Sequence, residues 1–379
     1  MAPWAVLLGA AQAAAYTNHY DPKDNAFNIV VPPNRGNAFA LLVADFGLAV
    51  SATTGKCCQQ DVADLMREKR AQLEAQGKSL LFVGAAGDNF YWTGAKAQAE
   101  GGAEQWARWA AVYSGLTDVP WLAALGNHDL GDGDLYATCP WQAPRVTIDG
   151  QAYAANQLDA DKGGYRPSGS ENFHLPDFNY KYTIDALNLE IYGLDQNCVD
   201  PHGIGGDDDG RRKLNAVCGP LNLQQRLDDV ALSGEAMLMA GASEGAFDAT
   251  QKRNVLILQH YPGRCGALEA LFSAYSPEDE DFDFRCSFGH THATLCESGP
   301  DDDCRYSQNG GGGGCCDDDV VDDNAGFAIL HFLEEGGMRL ELQKLGRNCT
   351  FYPPTATLAE HRGRATPLQA ADANPVDYL

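Results

Sequence analysis

The stretch Leu81-Phe82-Val83-Gly84-Ala85-Ala86-Gly87-Asp88-Asn89-Phe90-Tyr91 carries the pattern that decides the predicted fold. An apolar run, typical of a strand buried on both faces, ends at a glycine and is followed by Asp88 and, three residues later, by Tyr91. A strand of this kind presents a carboxylate and a phenol at its C-terminal end. Because both groups can bind metal ions, we expect a metal site at that end of the sheet.

Four further clusters of metal-ligand residue types occur along the chain, and most of them also follow an apolar run. They are Asp45-Phe46-Gly47, Gly126-Asn127-His128-Asp129, His260, and Gly289-His290-Thr291-His292. In an open α/β sheet, groups at the C-terminal ends of the strands converge. This many ligands suits two adjacent cations better than one, and imidazole with carboxylate is typical of Zn, Fe or Mn sites. A tyrosinate ligand favours a strong Lewis acid such as Fe(III).

The order of the predicted elements indicates an α/β fold. Strands expected at 39–44, 79–84 and 119–125 alternate with helices expected at 61–77 and 104–113, which predicts parallel pairing. The remaining pattern predicts a long loop at 129–177, a hairpin at 180–184 and 187–194, a helix at 221–232, strands at 254–259 and 283–288, and a closing hairpin at 327–332 and 338–343. Residues 301–319 form an acidic, glycine-rich low-complexity segment.

The charge balance excludes some classes of partner. The chain has 379 residues, with 52 Asp and Glu against 27 Lys and Arg, for a net charge of -25. An acidic surface argues against nucleic-acid binding, which needs a basic one. No apolar run reaches the ~18 residues of a membrane-spanning helix, so no membrane span is expected. The same acidic field opposes an anionic substrate unless metal cations reverse its sign locally.

Several features predict a secreted protein or one in the lumen of the secretory or vacuolar-lysosomal pathway. Residues 1–15 form a candidate signal peptide, with small residues at Ala13 and Ala15 but no basic start. The 12 cysteines favour an oxidising compartment and disulfide bonds. Asn348-Cys349-Thr350 is a sequon for glycosylation. We expect a catalytic domain over residues 37–350 and a C-terminal surface tail over 351–379.

In their order and spacing, the five clusters resemble the calcineurin-like metallophosphoesterases, whose pattern is DxG, GDxxY, GNH(D/E), VxxH and GHxH. The tyrosine of the second motif, here Tyr91, separates the purple acid phosphatases from the rest of that family. Val119-Pro120-Trp121, Gly193-Leu194-Asp195 and His260-Tyr261-Pro262 resemble the small, tartrate-resistant type. Three positions depart from the pattern, since Ala44, Phe46 and Ile257 stand where Gly, Trp and Val are usual, and none of them is a ligand.

The resemblance implies a four-layer α/β/β/α sandwich with a dinuclear metal centre. It implies that Fe(III) is held by Asp45, Tyr91 and His292. It implies that a divalent metal (Fe, Zn or Mn) is held by Asn127, His260 and His290. Asp88 would bridge the two ions, and His128 would contact the phosphate and help to protonate the leaving alkoxide.

The activity implied by the resemblance is that of an acid phosphatase, which hydrolyses small phosphate monoesters with a metal-bound hydroxide as nucleophile. Two alternatives stay open at this point. The first is a phosphodiesterase or nucleotidase that uses the same site. The second is a non-catalytic secreted protein that binds metal or phosphate. The glycines at 310–314 lack the Gly-Lys-Ser/Thr that follows in a phosphate-binding loop, so we expect them to have a structural role near the site.

Overall fold

The computed structural model describes residues 29–47, 58–91, 94–96, 101–130, 153–159, 164–197, 199, 212, 220–244, 251–275, 282–313 and 324–346. The candidate signal peptide, the sequon at 348–350 and the C-terminal tail lie outside these residues. The described strands are β1 (Ala38–Val43), β2 (Ser79–Ala86), β3 (Trp121–Ala124), β4 (Phe173–His174), β5 (Tyr180–Ile184), β6 (Leu189–Gly193), β7 (Arg253–Leu258), β8 (Phe282–Phe288), β9 (Thr294–Ser298), β10 (Tyr306–Asn309), β11 (Gly326–Phe332) and β12 (Met338–Lys344).

These strands form two six-stranded mixed sheets, and the expected α/β fold with parallel pairing is confirmed. The first sheet has the order β12-β11-β1-β2-β3-β4, with β1 to β4 mutually parallel. The expected closing hairpin, β11 and β12, extends this sheet through the antiparallel pairing of β11 with β1. The second sheet has the order β5-β6-β7-β8-β10-β9, with β6, β7, β8 and β10 parallel. The expected hairpin of β5 and β6 forms one edge of it.

The two sheets pack on each other through their apolar faces. Gly84 of β2 lies so close to its neighbours that a Cβ there would come within 2.7 Å of Leu42 and 3.0 Å of Leu258, which belongs to the second sheet. Strands of both sheets contribute fully buried residues to one core. This contact brings the C-terminal ends of the parallel strands from both sheets into one region.

The described helices are α1 (Cys58–Glu74), α2 (Gly102–Val112), α3 (Tyr153–Asn156), α4 (Pro220–Glu244) and α5 (Cys265–Ala274). Val62 and Met66 of α1 and Trp106 and Trp109 of α2 are buried in the core of the first sheet. Residues of α4 and α5, such as Phe272, pack on the second sheet instead. None of these helices combines the length and the apolar character that crossing a bilayer requires.

The structure differs from the sequence prediction in five places, and the first is strand β9, which was not predicted. Helix α4 continues to Glu244, twelve residues beyond the expected end, and helix α5 was not predicted. The expected loop at 129–177 contains the short elements α3 and β4. The low-complexity segment contains strand β10. Helix α4 passes through Gly234 and Gly241 because both glycines are packing positions, where a Cβ would lie 3.1 Å from Asn179 and 1.8 Å from the Tyr192 hydroxyl.

Two disulfide bonds are described. Cys265 at the start of α5 is bonded to Cys286 in β8. Cys296 in β9 is bonded to Cys304, two residues before β10. The first of these bonds links the segment that follows His260 to the strand that leads to His290.

Candidate metal centre

The predicted site residues lie where five parallel strands end. Asp45 follows β1, Asp88 follows β2 and Asn127 follows β3, while His260 follows β7 and His290 follows β8. The register places the three strand ends of the first sheet side by side, since Val43 pairs with Ala85 and Ala86 pairs with Ala124. Because the sheets face each other, the side chains from both sheets meet.

One group of side chains is centred on the phenol of Tyr91. Its oxygen lies 2.9 Å from Asp45 Oδ1, 3.0 Å from Asp88 Oδ2 and 3.2 Å from His292 Nε2. His292 Nε2 lies 3.4 Å from Asp45 Oδ1. Ligand atoms of Asp45, Asp88 and His292 all lie within 4.8 Å of one another, a spacing that could hold a metal ion.

A second group is centred on the side-chain oxygen of Asn127. Asn127 Oδ1 lies 3.0 Å from His260 Nε2 and 3.3 Å from His290 Nδ1. His260 Nε2 also lies 3.4 Å from Asp88 Oδ2, the same oxygen that contacts Tyr91. Asp88 therefore connects the two groups, and all seven side chains predicted as ligands converge.

The tautomer of His260 shows that this arrangement fits a cation. His260 Nδ1 lies 3.2 Å from the carbonyl oxygen of Ala86, which can only accept a hydrogen bond, so Nδ1 carries a proton. In a neutral imidazole, Nε2 then has a bare lone pair, and it faces the oxygens of Asn127 and Asp88. Lone pairs that face one another in a buried site require a positive charge between them, either a proton or a metal ion.

The pKa values of the buried groups follow from the same crowding of acceptors. Burial alone would lower the pKa of His260, but the carboxylates of Asp88 and Asp45 raise it to about 9. Burial raises the pKa of Asp45 well above its usual range. Burial would also raise the pKa of Asp88, but the nearby imidazoles of His260 and His128 bring it well below its ordinary value. The cluster as a whole stabilises positive charge, as a cation site must.

The backbone is strained at the same place. Among the described residues, positive φ angles outside glycine occur at five positions, and four of these are Asp45 (54°), Asp88 (52°), His290 (77°) and His292 (53°). A left-handed conformation costs of order 1–3 kcal/mol for such residues and is concentrated at functional sites. The surrounding structure holds these ligands in a conformation that they would not adopt unaided.

Glycines next to the ligands allow close approach. A Cβ on Gly126 would lie 2.1 Å from Asp88 Oδ1, and one on Gly289 would lie 2.3 Å from Asp45 Oδ2. Gly310, in the low-complexity segment, lies against the same carboxylate, at 2.8 Å from Asp45 Oδ2 for a Cβ. The glycines of the motifs thus leave room for the carboxylates of a neighbouring strand.

His128 lies at the rim of the cluster. Its backbone N–H donates to Asp88 Oδ1 over 2.9 Å, and its ring centroid lies 4.5 Å from that of Tyr91. Unlike the neighbouring Asn127 and Asp129, His128 is only partly buried. A side chain in this position can reach a ligand that approaches the cluster from solvent.

Asp129 is a positioning residue that the sequence analysis did not single out. Its carboxylate accepts hydrogen bonds from the backbone N–H groups of Gly126, Asn89 and Phe90 and from the Gln157 side chain, at 2.9–3.1 Å. It therefore ties the loop after β2 to the loop after β3. The motif Gly126-Asn127-His128-Asp129 could have indicated this role, because Asp129 is the one carboxylate of the motif and was not predicted as a metal ligand.

Phe46, which replaces the usual Trp of the family pattern, is also accounted for. It is fully buried and packs edge-on against Tyr113 and Trp121, with centroid distances of 5.6 Å to each ring. The smaller ring therefore fills a core position next to Asp45 and does not enter the cluster.

Comparison with protein-family models and with curated proteins gives no match to the chain. Among solved structures, the chain is similar to one described as "GAP50 the anchor in the inner membrane complex of Plasmodium". The identity is 11% and the TM-score is 0.48, over 84% of this chain and 90% of that chain. Similarity at this level does not assign a family or an activity.

Proposed function

We propose that this chain is a dinuclear-metal acid phosphatase of the purple acid phosphatase type, similar to the tartrate-resistant branch, and that it hydrolyses phosphate monoesters. The observation that carries the proposal is the convergence of seven ligand side chains in two groups that share Asp88, with contacts of 2.9–3.4 Å between their oxygen and nitrogen atoms. Five separate strand ends contribute to this convergence, which a single structural ion pair would not require.

In this proposal, each group of side chains holds one ion. Asp45, Tyr91 and His292 would hold Fe(III), and Asn127, His260 and His290 would hold a divalent Fe, Zn or Mn ion. Asp88, which contacts both groups, would be shared. When bound, such a metal pair supplies Lewis-acid activation of water and neutralisation of the phosphoryl charge.

In this proposal, His128 binds the substrate and supplies a proton to its leaving group. The partly exposed ring of His128 lies beside Tyr91, where it can donate an N–H to a phosphate oxygen. The same N–H can pass its proton to the ester oxygen as the alkoxide departs. The buried acidic residues alone would repel a phosphate dianion, so substrate binding depends on the positive charge that this cluster is built to hold.

The fold supports the proposal at a coarser level. Two packed six-stranded sheets, with α1 and α2 on the first and α4 and α5 on the second, fit the four-layer α/β/β/α sandwich that we propose for the chain. The described disulfide bonds fit the proposed secretory or vacuolar-lysosomal location.

Metal content and the visible spectrum of the purified protein test the proposal. We expect two metal ions per chain, at least one of them iron, and a purple or pink colour from charge transfer between the Tyr91 phenolate and Fe(III). Tyr91→Phe should bleach the colour without unfolding the protein, whereas Tyr275→Phe, at an exposed position, should leave it unchanged. A wild-type protein with two metal ions and no visible band would refute the Fe(III) assignment.

Substrate assays separate the alternatives. Hydrolysis of p-nitrophenyl phosphate supports a monoesterase. Turnover of bis-p-nitrophenyl phosphate alone would indicate the phosphodiesterase or nucleotidase alternative. A coloured, metal-loaded protein that hydrolyses neither ester would indicate the non-catalytic alternative.

A further inference from the structure

A cleft lies beside the candidate metal centre. Its walls include Gly47, Gln59, Tyr91, Arg108 and Trp109. We call it the Arg108 cleft. Tyr91 belongs to both places, because its phenol oxygen lies in the ligand cluster and its side chain lines the cleft.

Arg108 is an unusual cation in this chain. It is partly buried in α2, and among the described residues it has no ion-pair or hydrogen-bond partner. Other described arginines, such as Arg70, Arg253 and Arg285, pair with carboxylates. In a chain with about twice as many acidic as basic residues, an arginine that lines a cleft without a carboxylate partner is available to a ligand anion.

Two residues that line the cleft, Gln59 and Trp109, each have a buried polar atom without a partner. Trp109 is 3% exposed and its indole N–H makes no hydrogen bond, and Gln59 is 4% exposed and its Oε1 accepts none. Both atoms are shielded from solvent, so the donor that the cleft offers to an oxyanion is the guanidinium of Arg108.

We propose that the Arg108 cleft is a subsite for an oxyanion on the leaving group of the substrate, so that the preferred substrates are phosphate monoesters whose alcohol also carries an anionic group. The inference rests on the proposed function, because it takes the phosphate to lie at the metal centre. Tyr91 then separates the phosphate from the leaving group, and His128, whose ring contacts Tyr91, lies near the bond that breaks. The anionic group of the alcohol is bound by Arg108.

The overall charge of the protein predicts the opposite preference, namely for the less anionic substrate. At a net charge of -25, the general field disfavours every additional negative charge on a substrate. A preference for the more anionic of two otherwise similar esters therefore requires a local cationic site.

The test compares phenyl phosphate with 4-carboxyphenyl phosphate, which differ by one carboxylate. The variants are Arg108→Gln, Gln59→Glu, which places a carboxylate in the cleft, and the control Arg305→Gln, which removes an exposed arginine paired with Glu269. In the wild type and the control we expect KM to be about tenfold lower for the carboxylated ester, as for one charged hydrogen bond. In Arg108→Gln and Gln59→Glu the two KM values should become equal. Equal KM values in the wild type, or a preference that survives Arg108→Gln, would overturn the proposal.

A binding measurement keeps the two proposals apart. Benzylphosphonate and 4-carboxybenzylphosphonate are not hydrolysed, and their binding can be followed through tryptophan fluorescence, to which Trp109 in the cleft contributes. A tenfold tighter Kd for the carboxylated compound that is lost in Arg108→Gln supports the subsite, and equal Kd values refute it. Absence of phenyl phosphate turnover in the metal-loaded wild type would refute the proposed function, whatever the Kd values.

Discussion

Replacing Gly126 with alanine should remove metal binding while leaving the fold in place. A Cβ at this position would lie 2.1 Å from Asp88 Oδ1 and 2.5 Å from the Asp88 backbone nitrogen. Ordinary contact begins at 3.4 Å. The carboxylate would therefore have to move by about 1.3 Å, whereas metal–ligand distances tolerate only about 0.2 Å.

The magnitude follows from that displacement. Changes to residues that merely orient a ligand weaken metal binding by roughly 10–100-fold. Displacing Asp88, which contacts both groups of ligands, should have a larger effect, so we expect a dissociation constant at least about 100-fold higher. The overpacking itself should cost about 1–3 kcal/mol of unfolding free energy in the metal-free protein.

The assay is a competition titration against a chromophoric chelator, with Zn²⁺ or Co²⁺ and with far-UV circular dichroism to verify folding. The control is Gly266→Ala in α5, where a Cβ meets nothing closer than the Tyr306 hydroxyl at 3.8 Å. It should bind metal as the wild type does. A folded Gly126→Ala protein whose metal affinity is within a few fold of the wild type would refute the role of Asp88 as the shared ligand.

Three further predictions concern leaving groups, salt and acid. His128→Ala should slow hydrolysis of alkyl phosphates far more than that of p-nitrophenyl phosphate, because only a basic alkoxide needs a proton, and equal slowing of the two would remove His128 from the acid role. Raising the concentration of a salt with a non-coordinating anion should raise kcat/KM for a dianionic substrate while kcat stays nearly constant. Salt screens the repulsion between the acidic surface and the substrate over about 10 Å at 0.1 M. A flat or falling kcat/KM would place the acidic segments away from the substrate path. Burial, together with Arg339 and Lys78, lowers the pKa of His331 to about 4 despite its contact with Glu341. Because the unfolded chain takes up the proton already at about pH 6.5, the folded wild type loses stability as the pH falls from about 6.5 towards 4. In denaturant titrations at pH 7 and pH 4, His331→Gln should reduce the loss of unfolding free energy between the two pH values by up to about 3 kcal/mol. An unchanged pH dependence would show that His331 is protonated in the folded state.

The sequence predicts best the features in which one short segment carries both the structure and the chemistry. Asp45, Asp88 and Asn127 each follow a buried strand within a few residues, so locating the strands also locates the ligands. Parallel pairing then brings the strand ends together without further information. For α4 the predicted end at residue 232 was wrong, because Gly234 is a packing position against Asn179 that the helix passes through.

The features that the sequence did not predict depend on distant segments. Asp129 binds backbone groups of residues 89 and 90 across forty positions of sequence, and Gly310 reaches Asp45 from the far end of the chain. The Arg108 cleft combines residues of α1, α2 and the loop after β2. No local periodicity encodes such a combination, because each of these residues is ordinary in its own segment.

The division of roles within the site follows from this difference. The atoms that we propose as metal ligands are fixed by strand ends, by strained backbone and by glycines that admit the carboxylates, so they tolerate little change. Half of the residues that line the Arg108 cleft, Arg108 among them, belong to helices α1 and α2, where a side chain can be exchanged without disturbing a strand. We therefore expect metal chemistry and substrate preference to be separable in this protein. Substitutions at Gly126 should weaken metal binding and thereby lower the turnover of every substrate. Substitutions at Arg108 should change which leaving groups are preferred.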